Sequence, residues 1–129
     1  MPAPITAIYA ALLALFLVIL VLPIIKLRRG LRVGLGDGGQ GSLLQAVRAH
    51  GNAAEMIPVF VFLLLIYELN HGPATALHIF GSAFLLVRLA HATGLYSSSG
   101  KSMGRVVGTL GSLLAIVALA IANVVQVLK

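Results

Sequence analysis

The amino-acid sequence predicts an all-α integral membrane protein with a single domain, residues 1–129, formed by four transmembrane helices. Of the 129 residues, 60% are hydrophobic. The mean hydropathy is +1.07, too apolar for a water-soluble domain. Four apolar stretches each reach the roughly 20 residues that span a bilayer core. Because little sequence remains between these stretches, no separate soluble domain is predicted.

The first predicted helix covers about residues 5 to 25. Its basic residues follow the apolar run instead of preceding it, and the run is too long for the core of a signal peptide, so we interpret it as a retained helix. The next segment, 30–41, holds six glycines and Asp37. This composition predicts a loop. It suits a plain linker, with a loop that folds over a ligand as the alternative.

The second predicted helix, about residues 43 to 67, contains the sequence RAHGNAAEMIPVF. Arg48, Asn52 and Glu55 stand at i, i+4 and i+7, so they share one helix face. A charge in hydrocarbon costs roughly 3 kcal/mol even on a lenient insertion scale, so it persists there only with a partner or a function. This face is predicted to carry the function, with a purely structural tie between neighbouring helices as the alternative.

The third predicted helix covers about residues 75 to 96. Arg88 and His91 stand at i, i+3 on one face, and Tyr96 lies near the end of the same helix. Arginines and a tyrosine hydroxyl at one end of a bundle suit the binding of an anion. No other histidine or acid lies at metal-ligand spacing from His91, so no metal is predicted.

The fourth predicted helix covers about residues 106 to 128, and Arg105 opens it. Small residues form one of its faces: Gly104, Gly108, Gly111 and Ser112. Such a face allows close helix packing, either within the chain or between chains.

The formal net charge of +6 is best explained by membrane topology. Basic residues gather after the first span and between the third and fourth spans, without the aromatic-interleaved stripe expected for nucleic-acid binding. The positive-inside rule then places both basic connections in the cytoplasm and both termini on the non-cytoplasmic side. The chain has no cysteine, which excludes disulfides, thiolate metal sites and a cysteine nucleophile.

Taken together, these residues resemble the MAPEG family (membrane-associated proteins in eicosanoid and glutathione metabolism), and its small bacterial members above all. The resemblance rests on RAHGNAAEMIPVF in the second helix, RLAH and a tyrosine in the third, and an arginine opening the fourth. It covers essentially the whole chain. Two departures are Gly51, where some members carry a second arginine, and Leu95, where a tyrosine is common.

This resemblance implies a homotrimer in a bacterial inner membrane, with glutathione as cosubstrate between neighbouring subunits and lipophilic substrates arriving from the bilayer. It assigns the glutathione site to Arg48, Asn52 and Glu55, with Arg88, His91 and Tyr96 completing the polar wall. Arg105 would lie near the thiol, where a cation favours the thiolate. The implied activity is a glutathione-dependent transferase or peroxidase acting on lipophilic electrophiles. The alternative is a non-catalytic trimer whose polar face serves assembly or lipid binding.

Overall fold

The computed structural model describes residues 2–97 and 103–128, and for residues 95–97 it describes the backbone alone. It confirms the predicted fold class. The described residues form four helices and no strand: α1 Pro4–Leu31, α2 Gly41–Leu69, α3 Ala74–Ser97 and α4 Met103–Val127. Each helix is long and apolar enough to cross a membrane.

The end of α1 corrects a predicted boundary, because the helix continues to Leu31 instead of stopping near residue 25. Lys26, Arg28 and Arg29 therefore lie on its last turns and not in a loop. Lysine and arginine are good helix formers, and their cations interact favourably with the negative end of the helix dipole. Arg32 caps this end of the helix, and its backbone N–H donates to the carbonyl of Arg28. Its left-handed conformation turns the chain so that the backbone N–H of Val33 donates to the same carbonyl over 3.1 Å.

The short connection between α2 and α3 depends on a glycine. The backbone N–H of Gly72 donates to the carbonyl of Tyr67 over 2.9 Å. A Cβ on Gly72 would lie 2.6 Å from the Tyr67 ring and 2.7 Å from its carbonyl oxygen, so a larger residue would force the turn open. The tight turn makes α2 and α3 antiparallel neighbours.

The helices pack so that α2 and α3 each contact all the other helices, whereas α1 and α4 do not contact each other within the described residues. Buried side chains from all four helices meet in one core, including Leu13, Phe60, Phe84 and Leu119. The rings of Phe60 and Phe84 stack with centroids 3.8 Å apart. Because lipid tails are as apolar as this core, close van der Waals packing has to hold the helices together.

The small-residue face of α4 lies against α3 in the same chain. A Cβ added to Gly104 would lie 2.8 Å from the carbonyl oxygen of Ala90, and one added to Gly111 would lie 2.7 Å from a methyl group of Val87. Of the two roles open to this face, packing within the chain is therefore the one that the structure displays.

Candidate functional site

The polar face of α2 points away from the core of the helix bundle. Arg48 and Glu55 are exposed, and Asn52 between them is half-buried. At 1.5 Å per residue, Arg48 lies about 10 Å and Glu55 about 21 Å from the start of α2, so Glu55 is at the midpoint of this 29-residue helix. An exposed carboxylate at that depth would face hydrocarbon unless a ligand or another subunit covers it.

Arg48, Glu55 and the side-chain oxygen of Asn52 have no polar partner within the described residues. Within residues 2–97 and 103–128, neither Arg48 nor Glu55 makes a hydrogen bond or ion pair. The Oδ1 atom of Asn52 is buried and has no hydrogen-bond partner there. A buried acceptor left unpaired costs about 1–3 kcal/mol. This face therefore has unused capacity for one anion, one cation and one hydrogen-bond donor.

Apolar side chains flank these polar groups along the same outward stripe. Leu44 is one turn before Arg48, and Val59 and Phe62 follow Glu55 one and two turns later; all three are exposed. The i, i+4, i+7 spacing keeps them on one side of the helix. Along the helix axis, the charged patch thus has an apolar surface on either side, suited to contact with lipid or with another protein chain.

The second polar cluster lies between α3 and α4. The side chain of Arg88 is 0% exposed, its Nη1 donates to the hydroxyl of Ser112 over 3.2 Å, and its Nη2 lies 3.4 Å from Nδ1 of His91. Ser112 in turn donates to the carbonyl of Gly108 over 2.6 Å. Arg88 therefore lies inside the α3–α4 pair, open neither to solvent nor to lipid within the described chain.

The contact between Arg88 and His91 determines where the imidazole proton lies. A guanidinium has only donors, so Nδ1 of His91 must be the acceptor of this hydrogen bond. Its lone pair is then free of a proton, and the ring is neutral with its single proton on Nε2. His91 therefore offers an N–H donor on the side away from Arg88, which suits a carboxylate, carbonyl or thiolate acceptor.

Arg105 belongs to the same junction. It is half-buried, and a Cβ added to Gly94 would lie 2.6 Å from the backbone nitrogen of Arg105, so α3 and α4 touch at this level through their backbones. Arg105, Gly108 and Ser112 share one face of α4 by their spacing.

The predicted site residues therefore divide between the outward face of α2 and the internal junction of α3 and α4. Arg88 and His91 contact each other, and Arg105 lies on the same junction, whereas the three α2 residues face outward, and no hydrogen bond or ion pair between described side chains joins the two groups. The backbone of Tyr96 is part of α3, and its side chain lies outside the described residues. Among the described residues no group of three potential metal ligands occurs.

An apolar groove of about 300 Å³ lies elsewhere, near the end of α4 that faces the α2–α3 turn. Its lining residues are Ile66, Asn123, Val124, Val127 and Leu128. Because it lacks charged groups and lies far along α4 from Arg105, it is not the candidate site.

Glu68 has a structural role that was not predicted from the sequence. The two oxygens of Glu68 accept hydrogen bonds from the backbone nitrogens of Ile5 and Thr6 over 2.9 and 2.6 Å. These amides lie in the first turn of α1, which has no side-chain cap of its own. The signal was present, because antiparallel spans place the end of the second helix beside the start of the first.

These features define the protein as a four-helix multi-pass membrane protein with polar groups both on an outward helix face and at an internal helix junction. Comparison with known proteins makes the assignment specific: the chain belongs to the MAPEG family, whose sequence model matches residues 6–125. The predicted family is thereby confirmed. The protein is a membrane protein of the family associated with eicosanoid and glutathione metabolism.

Two curated relatives are similar to the chain along much of its length. It is 40% identical over 92 residues to the inner membrane protein YecN of Escherichia coli K12. The aligned region covers 71% of this chain and 70% of the relative. The match to YecN of Escherichia coli O6:H1 has the same identity and coverage.

Proposed function

We propose that the protein is a glutathione-dependent transferase or peroxidase acting on lipophilic electrophiles. The observation that carries the proposal is the outward face of α2, where Arg48 and Glu55 have no partner within the described residues. Glutathione carries two carboxylates and an ammonium group, so it matches a guanidinium and a carboxylate spaced about 10 Å apart along one helix. Family membership supports the same ligand.

A homotrimer is part of this proposal. Because Glu55 lies at the midpoint of α2, a bound polar ligand would still face hydrocarbon unless a neighbouring subunit covered it. A neighbour packed on the apolar residues around the patch would close the site on that side. It would also bring its own helices next to the α2 face, so that residues from two subunits contact one glutathione molecule.

In the proposed reaction Arg105 favours the thiolate over the thiol through its positive charge. The Nε2–H of His91 and the hydroxyl of Tyr96 are further donors for the ligand. In the transferase reaction the sulfur attacks an electrophilic carbon of the substrate, and the leaving group departs with its bonding electrons. The rate gain comes from a higher thiolate fraction and from holding the sulfur beside a substrate that the membrane concentrates.

The proposed location is a bacterial inner membrane, with both basic connections in the cytoplasm and both termini outside. The name of the Escherichia coli relative supports the membrane, and the positive-inside rule supports the orientation. Labelling of single cysteines introduced near Ala3 and at Gly36 with a membrane-impermeant maleimide in intact spheroplasts tests the orientation. Reaction at Ala3 and protection at Gly36 is the expected outcome.

Ligand binding is tested by thermal unfolding of the detergent-solubilised protein over a series of glutathione concentrations. A site that binds only the folded state stabilises it by about 2.7 kcal/mol at a hundredfold excess over the dissociation constant. We expect this shift for the wild type and its loss in Arg48→Ala. Arg28→Ala is the matched control, because it removes the same charge from a residue outside the site.

Catalysis is tested separately by the conjugation rate of Arg105→Ala with a hydrophobic electrophile at saturating glutathione. We expect a lower rate with glutathione binding retained. If millimolar glutathione causes no shift, the enzymatic proposal is wrong. The polar face would then serve assembly or lipid binding, and Arg48→Ala would weaken the oligomer in detergent.

A further inference from the structure

The outward face of α1 is a continuous apolar stripe that ends in two cations. Leu15, Ile19 and Leu22 are 61%, 61% and 57% exposed, and Lys26 and Arg29 are exposed beyond them. Steps of three or four residues connect these positions, so all five lie on one side of the helix. Nothing in the described chain covers this stripe.

The length of α1 places the two cations at the membrane surface. The 22 residues from Pro4 to Ile25 extend about 33 Å at 1.5 Å per residue, which already equals the roughly 30 Å hydrocarbon core. The remaining turns, with Lys26 and Arg29, therefore reach the headgroup layer. Their methylene stems can continue the apolar surface while the charged ends contact phosphate.

Arg28 differs from its neighbour Arg29 in both direction and contacts. It is half-buried and its Nη1 donates to the carbonyl of Val33 over 3.4 Å, so it faces the connection that follows α1. One residue along a helix corresponds to a rotation of about 100°. The basic end of α1 thus has two cations on its outward face, Lys26 and Arg29, and a separate cation, Arg28, that is hydrogen-bonded to the connection after the helix.

The chain itself offers almost no carboxylate for this pair. It has three acids against nine lysines and arginines. Glu68 is bonded to the opposite end of α1, and Glu55 is at the midpoint of α2. Only Asp37 belongs to the connection at this end, and its Oδ1 already accepts a hydrogen bond from the backbone of Gly39. A second copy of the chain has the same shortage, so the counter-charge has to come from elsewhere.

We propose that Lys26 and Arg29 bind the phosphate headgroup of an anionic phospholipid whose acyl chains lie along Leu15, Ile19 and Leu22. The partner follows from the combination of features: two cations in the headgroup layer, an apolar stripe directly below them, and too few acids in the chain to neutralise them. This surface is distinct from the α2 face and does not depend on the proposed enzymatic activity.

The test is a lipid competition in nanodiscs that contain phosphatidylcholine and phosphatidylglycerol. Spin-labelled versions of each lipid report the preference for the anionic headgroup in the motionally restricted shell around the protein. A cation near the surface contributes about a fivefold preference. We expect Arg29→Gln and Lys26→Gln each to lower the preference about fivefold, and Lys26→Arg to retain it.

Arg28→Gln is the matched control, since it removes the same charge one residue away on another face. We expect it to leave the preference unchanged. Equal losses in Arg28→Gln and Arg29→Gln would show a diffuse charge effect and overturn the site. A wild type that does not prefer phosphatidylglycerol would also overturn it, as would intersubunit crosslinking through a cysteine at Leu22, which would assign the stripe to a second copy.

Discussion

The cap that α2 provides for α1 can be tested with substitutions of Glu68. Its carboxylate accepts the backbone N–H groups of Ile5 and Thr6, which are two of the four donors that every helix start leaves unpaired. Loss of a helix N-cap costs about 0.5–2 kcal/mol, and loss of a negative charge beside the positive end of the helix dipole costs about 0.3–1 kcal/mol more. We therefore expect Glu68→Ala to lower the free energy of unfolding by about 2 kcal/mol.

Glu68→Gln separates the two contributions, because the amide keeps one acceptor oxygen but loses the charge. About half of the effect, near 1 kcal/mol, is expected for this variant. Unfolding in detergent, followed by circular dichroism during a denaturant titration, measures both values. Hydrogen exchange supplies the local measurement, since only loss of the cap should accelerate exchange at Ile5 and Thr6.

Asp37→Asn is the matched control for these variants. It also removes one negative charge, but from an exposed loop where the carboxylate accepts only a local turn hydrogen bond, so its effect should stay within about 0.5 kcal/mol. Equal destabilisation by Glu68→Ala and Asp37→Asn would refute the reasoning. So would unchanged exchange at the first turn of α1.

Three further predictions concern the helix junctions. In Gly108→Ala the new Cβ would overlap the Cβ and backbone of His91, so the free energy of unfolding should fall by about 2 kcal/mol in a thermal unfolding assay. In the control Gly51→Ala the new Cβ has nothing within 4 Å, so the free energy of unfolding should rise by up to about 1 kcal/mol. Equal effects of the two variants would contradict the packing. Nitrogen-15 NMR of histidine-labelled protein should show His91 unprotonated at Nδ1 and protonated at Nε2, and a doubly protonated ring would contradict the hydrogen bond from Arg88. Asn123→Ala removes the side-chain amide that donates a hydrogen bond to the carbonyl of Leu63 over 3.0 Å. The free energy of unfolding should fall by about 0.6 kcal/mol in the same assay, as is typical of hydrogen bonds between membrane helices. No loss would mean that water or lipid replaces this bond.

The helices could be predicted from the sequence because a membrane leaves few alternatives. A backbone in hydrocarbon has to satisfy its own hydrogen bonds, so each apolar run of sufficient length becomes a helix. The predicted end of α1 was wrong for a related reason. Hydropathy marks where the hydrocarbon ends, and a helix of good helix formers can continue into the headgroup layer. Lys26 and Arg29 lie on that continuation.

One contact between candidate site residues could also be predicted, because spacing along one helix fixes which residues share a face. Arg88 and His91 were expected together, and they lie within hydrogen-bond distance. Spacing does not tell which neighbour a face meets. The enclosure of Arg88 between α3 and α4 depends on the close approach that Gly94 and Gly108 allow, and this approach is a property of two helices together. Whether Arg88 contributes to glutathione binding stays a prediction.

Glu55 and Arg88 lie at the same depth along two neighbouring helices. Glu55 is 14 residues before the end of α2, and Arg88 is 14 residues after the start of α3, so both lie about 21 Å from the turn that joins these helices. An exposed carboxylate and an enclosed guanidinium thus stand at one depth on different sides of the same helix pair. Arg88 has no carboxylate among its hydrogen-bond partners, and its Nε is buried without a partner in the part of the chain described.

The two charges cannot neutralise each other within one chain, because α2 directs Glu55 outward while α3 and α4 enclose Arg88. A charge at this depth carries a cost of roughly 3 kcal/mol if it is left without a partner. Covering the α2 face with a neighbouring subunit and a zwitterionic ligand would remove that cost for Glu55. We therefore expect assembly and ligand binding to be coupled. Crosslinking in detergent tests this: glutathione should stabilise the oligomer of the wild type, and Glu55→Gln should weaken that stabilisation, whereas an oligomer insensitive to glutathione would separate the two events.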